Sequence, residues 1–213
     1  TGGAGFVGSN LIRELLKLKK YRIISLDDYS SVKKKNHFKN SSVNYIKSHT
    51  KNINKVLKRY RKNIKTIFHF GEFARIHQSF NNLGKCFESN LGGTLEVFRF
   101  CLKNKISLIT ANKAQLAEKS DSFFEGFDKS NLFLGFEAAV LGAVPVIRTI
   151  EHSIHPSKIN SIYGIFNGTT NYIISKMYEN KISFKETLEQ AIENGFAEQD
   201  STADLSGRDA MHK

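Results

Sequence analysis

Four glycines open the chain: residues 1–8 read TGGAGFVG, with glycine at positions 2, 3, 5 and 8. Such a turn lets the backbone come close to a pyrophosphate, and a helix behind it would offer N–H groups and a positive dipole end to the same anion. Asp27 lies 19 residues past Gly8, near the roughly 20 expected for a carboxylate that takes ribose hydroxyls. At the far end Asp209 and Lys213 are four residues apart, so on a helix an acid and an amine share one face. Glu198 sits in the loop leading to them, after Gly195 closes the run FKETLEQAIEN. Lys113 directly follows the apolar run SLITAN, at the carboxyl edge where open α/β sheets hold ligands. Gly168, Thr169 and Thr170 read as a tight turn into a helix, with threonine as the capping side chain.

These groups need elements to position them. After the glycines comes SNLIRELLKLKK, whose Leu11, Ile12, Leu15 and Leu16 keep helical spacing, with Ser9 or Asn10 near its start as a cap. A short apolar strand follows at Tyr21–Leu26 and ends in Asp27-Asp28. Glycine turn, helix, strand and acid therefore arrive in the order of a βαβ dinucleotide site. A carboxylate at Asp27 repels a 2′-phosphate, so NAD is expected over NADP. Further strands are expected at Thr66–Phe70, Leu132–Val140 and Val144–Ile150, and helices at Asn90–Lys103, Asn171–Tyr178 and Phe184–Asn194. The fold class is α/β: a Rossmann-type parallel nucleotide-binding sheet over residues 1–117, then a partial α+β substrate domain over 118–213. A central strand belongs before Thr1, so the chain reads as a fragment.

Composition bounds the rest. The chain has 213 residues, 40% hydrophobic, enough for a real core and too apolar for wholesale disorder. Residues 1–107 carry 22 Lys and Arg against 6 Asp and Glu, while 108–213 carry 10 against 14. That break suggests two domains or two origins. The basic stretch Lys47–Lys65 has no aromatic interleaving and no zinc spacing, so it reads as a solvated face and no nucleic-acid partner is expected. Cys86 and Cys101 are too few for a disulfide scaffold, which points to a reducing, cytoplasmic setting. No apolar run approaches the length of a membrane span.

The words TGGAGFVGSN, FHFGEFARIHQSF and SNLGGTLEVF resemble the extended short-chain dehydrogenase/reductase family, above all its nucleotide-sugar epimerases and dehydratases, over about residues 1–107. The resemblance implies that Gly2, Gly5, Phe6, Val7, Gly8 and Asp27 bind cofactor, that Phe70 and Gly71 line it, and that Asn90 sits on a helix beneath the site. That family works through a Tyr-x-x-x-Lys pair several dozen residues after Asn90, and none appears there. Tyr29/Lys33 comes too early, and Tyr172/Lys176 falls inside a different motif.

From Leu108 the vocabulary changes. LITANKAQLAE, LFLGFEAAVLGAVPVIRTI, GIFNGTTNYIISKM and AIENGFAEQDSTADLSGRDAMHK look like homoserine dehydrogenase over about residues 108–213, with Ser201 where that family usually has proline. The resemblance implies NAD(P)-linked interconversion of homoserine and aspartate 4-semialdehyde, in threonine and methionine biosynthesis. Reducing an aldehyde with a nicotinamide requires a proton source and anionic partners for a substrate ammonium. Lys213 and Lys113 fit the first role, Glu198 and Asp209 the second. Gly168, Thr169 and Thr170 would contact nicotinamide and substrate through their backbone. Glu137, with carbonyls near Val140, Gly142 and Val144, would hold a monovalent cation. The expected partners are an amino-acid substrate and a second copy of the chain, with no membrane. Two alternatives stand beside this reading: a nucleotide-sugar epimerase or dehydratase, and an inactive cofactor-binding fragment.

Overall fold

A computed structural model describes residues 1–30, 36–73, 81–142, 144–154 and 159–211, with backbone alone at 113–115, 117–120, 153, 154 and 209. The chain divides into two compact units, Thr1–Ala139 and Val140–Lys213.

In the first unit the glycine turn leads into α1 (Phe6–Lys17), which buries Gly8 and Ile12. β1 (Ile23–Asp27) follows and pairs in parallel with β2 (Val43–Lys47), Ile23 opposite Val43 and Asp27 opposite Lys47. A second parallel sheet holds β3 (Thr66–His69), β4 (Ser107–Thr110) and β5 (Leu134–Gly135), in that order. Two residues stitch the sheets together. Gly2 N donates to Leu26 O at 2.9 Å on one side. On the other, the Thr1 ammonium donates to Phe68 O at 2.7 Å, and Phe70 N donates to Thr1 O at 3.2 Å.

Parallel strands need crossovers, usually helical. α2 (Thr94–Asn104) joins β3 to β4, and α3 (Lys113–Lys129) joins β4 to β5. Val97, Phe98, Phe100 and Cys101 of α2 are buried with Ile67 and Leu108 of the sheet and Phe123 and Phe127 of α3. Phe98 lies 4.3 Å from Phe123 and meets Phe127 edge-on at 6.0 Å between ring centroids, geometry that aromatic pairs favour. α2 ends where Lys105 turns left-handed, at φ 55°. A π-helical stretch, Glu88–Gly93, joins α2 to a short helix at Leu83–Phe87, so the expected Asn90–Lys103 helix is longer and bulged.

The structure differs from three expectations. The first unit runs to Ala139 rather than Ala117, because α3 packs into its core and β5 hydrogen-bonds to β4. The strand expected at Leu132–Val140 shrinks to β5 and belongs to the second sheet, within the first unit. The strand expected at Val144–Ile150 is helical: an α-turn at Val146–Thr149 runs into a π-turn at Ile150–Ile154. Its β-branched residues favour a strand only beside a partner to pair with. Among the described residues the second unit offers none, so the backbone satisfies itself locally.

The second unit contains α4 (Gly168–Asn180) and α5 (Phe184–Glu193), close to the expected helices. Their contact buries Ile173, Ala191 and Ala197, with Tyr172, Met177, Leu188 and Ile192 packed around them. Gly195, at φ 75°, ends α5 as its position suggested. Phe196 N and Ala197 N then donate back to Ala191 O at 2.8 and 3.0 Å. Short helices follow at Thr202–Leu205 and Arg208–Met211.

Candidate functional site

The first unit holds a cleft lined by Gly2, Gly5, Asp27, Phe70, Gly71 and Glu72, together with Thr50 and Ser89. Gly2 takes a left-handed φ of 71°, and a Cβ there would stand 2.5 Å from the backbone carbon and oxygen of Phe70. Gly8 is buried beneath the turn, and a Cβ on it would collide with Gly2 O. Gly5 caps α1 and has no side chain to bond the first-turn N–H groups, and the first turn carries no acid. These features suit an anion at the helix start. Phe6 and Val7 stand elsewhere. They are the first residues of α1, 83% and 56% exposed, and do not line the cleft.

Asp27 already has partners. Oδ2 accepts from Ala4 N at 2.9 Å and Oδ1 from Tyr29 N at 2.9 Å. The carboxylate thus ties the glycine turn to the end of β1, a role that spacing alone did not reveal.

Beneath the cleft runs a polar web, of which sequence reasoning named only Asn90. His69 is fully buried between the Thr1 hydroxyl, 2.6 Å from Nδ1, and the Thr94 hydroxyl, 2.9 Å from Nε2. Burial, with the Thr1 ammonium nearby, pushes the imidazole down to about 3, so it stays neutral. Asn112 Nδ2 donates to Thr94 Oγ1 and to Asn90 O, at 3.2 and 3.3 Å. Asn90, on the π-helical bulge, accepts from Phe73 N at 2.6 Å and donates to Phe73 O at 3.1 Å, holding the loop after β3. Glu72 lies in that loop. Burial raises its carboxyl to about 7, partly offset by a hydrogen bond from Asn112. The web's partners are 17 to 68 residues apart in sequence, and beyond Asn90 the available signal was a buried Asn and Thr between apolar neighbours.

The second unit has its own cleft, lined by Asn167, Gly168, Thr169, Phe196, Glu198 and Asp204, with Tyr172 at its side. The threonines were expected to cap α4, but Asn167 does so, its Oδ1 accepting from Thr170 N at 2.8 Å. Asparagine directly before Gly-Thr-Thr was the signal for this. Asn167 Nδ2 donates to Asp204 Oδ1 at 2.7 Å, and Thr169 Oγ1 donates to Phe196 O at 2.8 Å. Thr170 is held by Asn167 and does not line the cleft. Asn167→Ala removes a cap and leaves Asp204 without this donor, so we expect a loss of about 1–2 kcal/mol, read as a lower melting temperature.

Tyr172 stacks on Phe196 at 4.4 Å, and Lys176 pairs with Glu179 at 3.0 Å. Neither is arranged as a catalytic Tyr/Lys couple. Lys113 begins α3 directly behind β4, and Asp209 lies on the Arg208–Met211 helix. Lys213 lies outside the described residues, as does Lys33. Glu137 opens a 3₁₀ turn in the first unit, while Val140, Gly142 and Val144 belong to the second. Among the described residues, no helix is long and apolar enough to cross a membrane.

Residues 1–128 match the NAD dependent epimerase/dehydratase family. The chain belongs to that family. Behind the epimerase/dehydratase part, residues 145–213 match homoserine dehydrogenase. A homoserine dehydrogenase of Neisseria gonorrhoeae is 41% identical over 112 residues, covering 53% of this chain and 26% of that protein. That of Bacillus subtilis is 38% identical, with the same two coverages. The solved homoserine dehydrogenase of S. aureus aligns with 96% of this chain and 45% of its own, at TM-score 0.66 and 25% identity. The chain thus spans about a quarter of the curated relatives' length. It joins an epimerase-family part to a dehydrogenase-like one.

Proposed function

We propose that the chain carries a homoserine dehydrogenase activity, interconverting homoserine and aspartate 4-semialdehyde with a nicotinamide cofactor in a cytoplasmic setting. The observation that carries this reading is the cleft of the second unit. It gathers Glu198, Gly168 and Thr169 within a segment resembling that enzyme, around an Asn167–Asp204 tie.

The cofactor's residues would be Gly2, Gly5, Asp27, Phe70 and Gly71, with the first turn of α1 facing the pyrophosphate. When bound, the nicotinamide supplies or accepts the hydride at the substrate carbonyl carbon. Asp27 favours NAD, since a second anion beside its carboxylate would be repelled. Lys213, assisted by Lys113, holds and moves the proton at the substrate oxygen, and Glu198 with Asp209 takes the substrate ammonium. A monovalent cation on Glu137 and the carbonyls of Val140, Gly142 and Val144 is a finer part of the reading. Leu141 and Gly142 take φ values of 52° and 60°, a turn that varies the directions of successive carbonyls. An all-oxygen set suits a hard cation. No step is assigned to it.

Purified protein is expected to reduce NAD in the presence of homoserine. Lys213→Ala is expected to abolish turnover while leaving NAD affinity, measured by calorimetry, unchanged. Turnover retained in that variant removes Lys213 from its role.

A further inference from the structure

Glu198 is exposed and sits on a stretch with neither helix nor strand, between α5 and the Thr202–Leu205 helix. Gly195, left-handed at φ 75°, opens that stretch. A glutamate so placed is aimed only by what fastens its neighbours.

α4 supplies the fastenings. Thr169 and Tyr172 are three residues apart on this helix, so they share a face. Both hold Phe196. The Thr169 hydroxyl donates to its carbonyl at 2.8 Å, and the Tyr172 ring stacks on its ring with centroids 4.4 Å apart and planes 16° from parallel. From the other side, Phe196 N and Ala197 N donate to Ala191 O, near the end of α5. Farther along, Asn167 at the start of α4 holds Asp204 at 2.7 Å. Glu198 therefore lies between two straps that both run back to the first turns of α4, and it lines the cleft with Thr169, Tyr172 and Phe196.

The stack matters most on the Phe196 side. The Thr169 bond is exposed, where water competes and the net gain is small. Phe196 is itself 55% exposed, so the core does not hold it. Tyr172, by contrast, packs against the cluster of Ile173, Ala191 and Ala197. An anchored ring thus fixes a loosely held one.

We propose that Tyr172 is a positioning residue: through its stack on Phe196 it holds the loop that presents Glu198 to a substrate ammonium in this cleft. This rests on the dehydrogenase reading of the second unit. The ring carries the role, and the phenol hydroxyl is not needed for it.

The test is steady-state kinetics of the full chain with homoserine and NAD, beside amide hydrogen exchange. An aromatic stack shifts an equilibrium by about three- to tenfold. Tyr172→Ala is expected to raise KM for homoserine by that factor and to leave kcat within about twofold, because a contact made equally before and during reaction shows in KM alone. The Phe196 and Ala197 amides are expected to exchange faster by a similar factor. Tyr172→Phe keeps the ring and is expected to match the wild type in both readouts. Tyr172→Leu fills the space without stacking, follows Tyr172→Ala, and serves where that variant fails to fold. Tyr178→Ala, which removes an exposed ring from the same helix, is expected to change neither readout. An unchanged KM in Tyr172→Ala, a loss confined to kcat, or a Tyr172→Phe as impaired as Tyr172→Ala overturns the assignment. Wild-type protein without turnover overturns the dehydrogenase reading, and the role given to Glu198 with it. The exchange rates then still decide whether Tyr172 anchors the loop.

Discussion

Gly2→Ala is expected to abolish NAD binding and to lower the melting temperature by about 10 °C. Two costs combine. The backbone at Gly2 has a φ of 71°, a left-handed conformation that costs a residue with a Cβ roughly 1–2 kcal/mol. That Cβ would also stand 2.5 Å from the Phe70 carbonyl carbon and oxygen and 2.8 Å from Gly71 N. These are backbone atoms at the end of β3, and they cannot swing aside. Overpacking of this kind costs about 1–3 kcal/mol more. Together the loss is on the order of 3 kcal/mol, and each kcal/mol is worth about 2–4 °C in a chain of this size. Gly84→Ala is the control, because nothing lies within 4 Å of its added Cβ. It sits in the Leu83–Phe87 helix, so it is expected to stabilise by up to about 1 kcal/mol. A variant of Gly2 that melts with the wild type, as judged by circular dichroism, would show that the turn is less constrained than its hydrogen bonds imply.

The second large effect is a pH-dependent gain in Glu72→Gln. In the folded chain this carboxyl titrates at about 7, against 4.5 when unperturbed, because it is buried. Between those pH values the folded chain keeps a proton that the unfolded chain has released. Stability from this group is therefore fully present below pH 4.5 and is lost as pH rises through 7. At one pKa unit per 1.36 kcal/mol, the loss by pH 8 is about 3 kcal/mol. Glutamine does not titrate, so the variant should gain about that much on the wild type between pH 4.5 and 8. Two other buried groups change protonation nearby: His69, lowered to about 3, and the Thr1 ammonium, lowered to about 6. Both are present in either protein and cancel in the difference. Urea unfolding of both proteins at pH 4.5 and pH 8 measures it, and a gap that does not change with pH would place the carboxyl in water.

Glu72 also illustrates what the chain's letters could and could not convey. The glycine turn, α1, β1 and Asp27 were legible because they are neighbours in sequence and their chemistry demands that order. Gly195 was legible as a helix stop for the same local reason. Glu72 offered no such pattern, since its importance comes from burial and from Asn112, 40 residues away. Phe6 and Val7 lie inside the same glycine-rich word, and both are exposed as the first residues of α1. The run Val144–Ile150 misled because strand propensity is a statement about neighbours. Among the described residues, the only strands are those of the first unit.

The cluster between α4 and α5 has consequences of its own. Among the described residues, three buried ones hold that pair of helices, against thirteen in the core beneath the sheet. Free energies of local opening follow the apolar surface that each region removes from water. The helix pair should therefore breathe on its own, exchanging its amide hydrogens with solvent well before the strands do. Whatever fills the cleft beside Asn167 would then act as the missing ballast, firming up a segment that is only lightly anchored when empty.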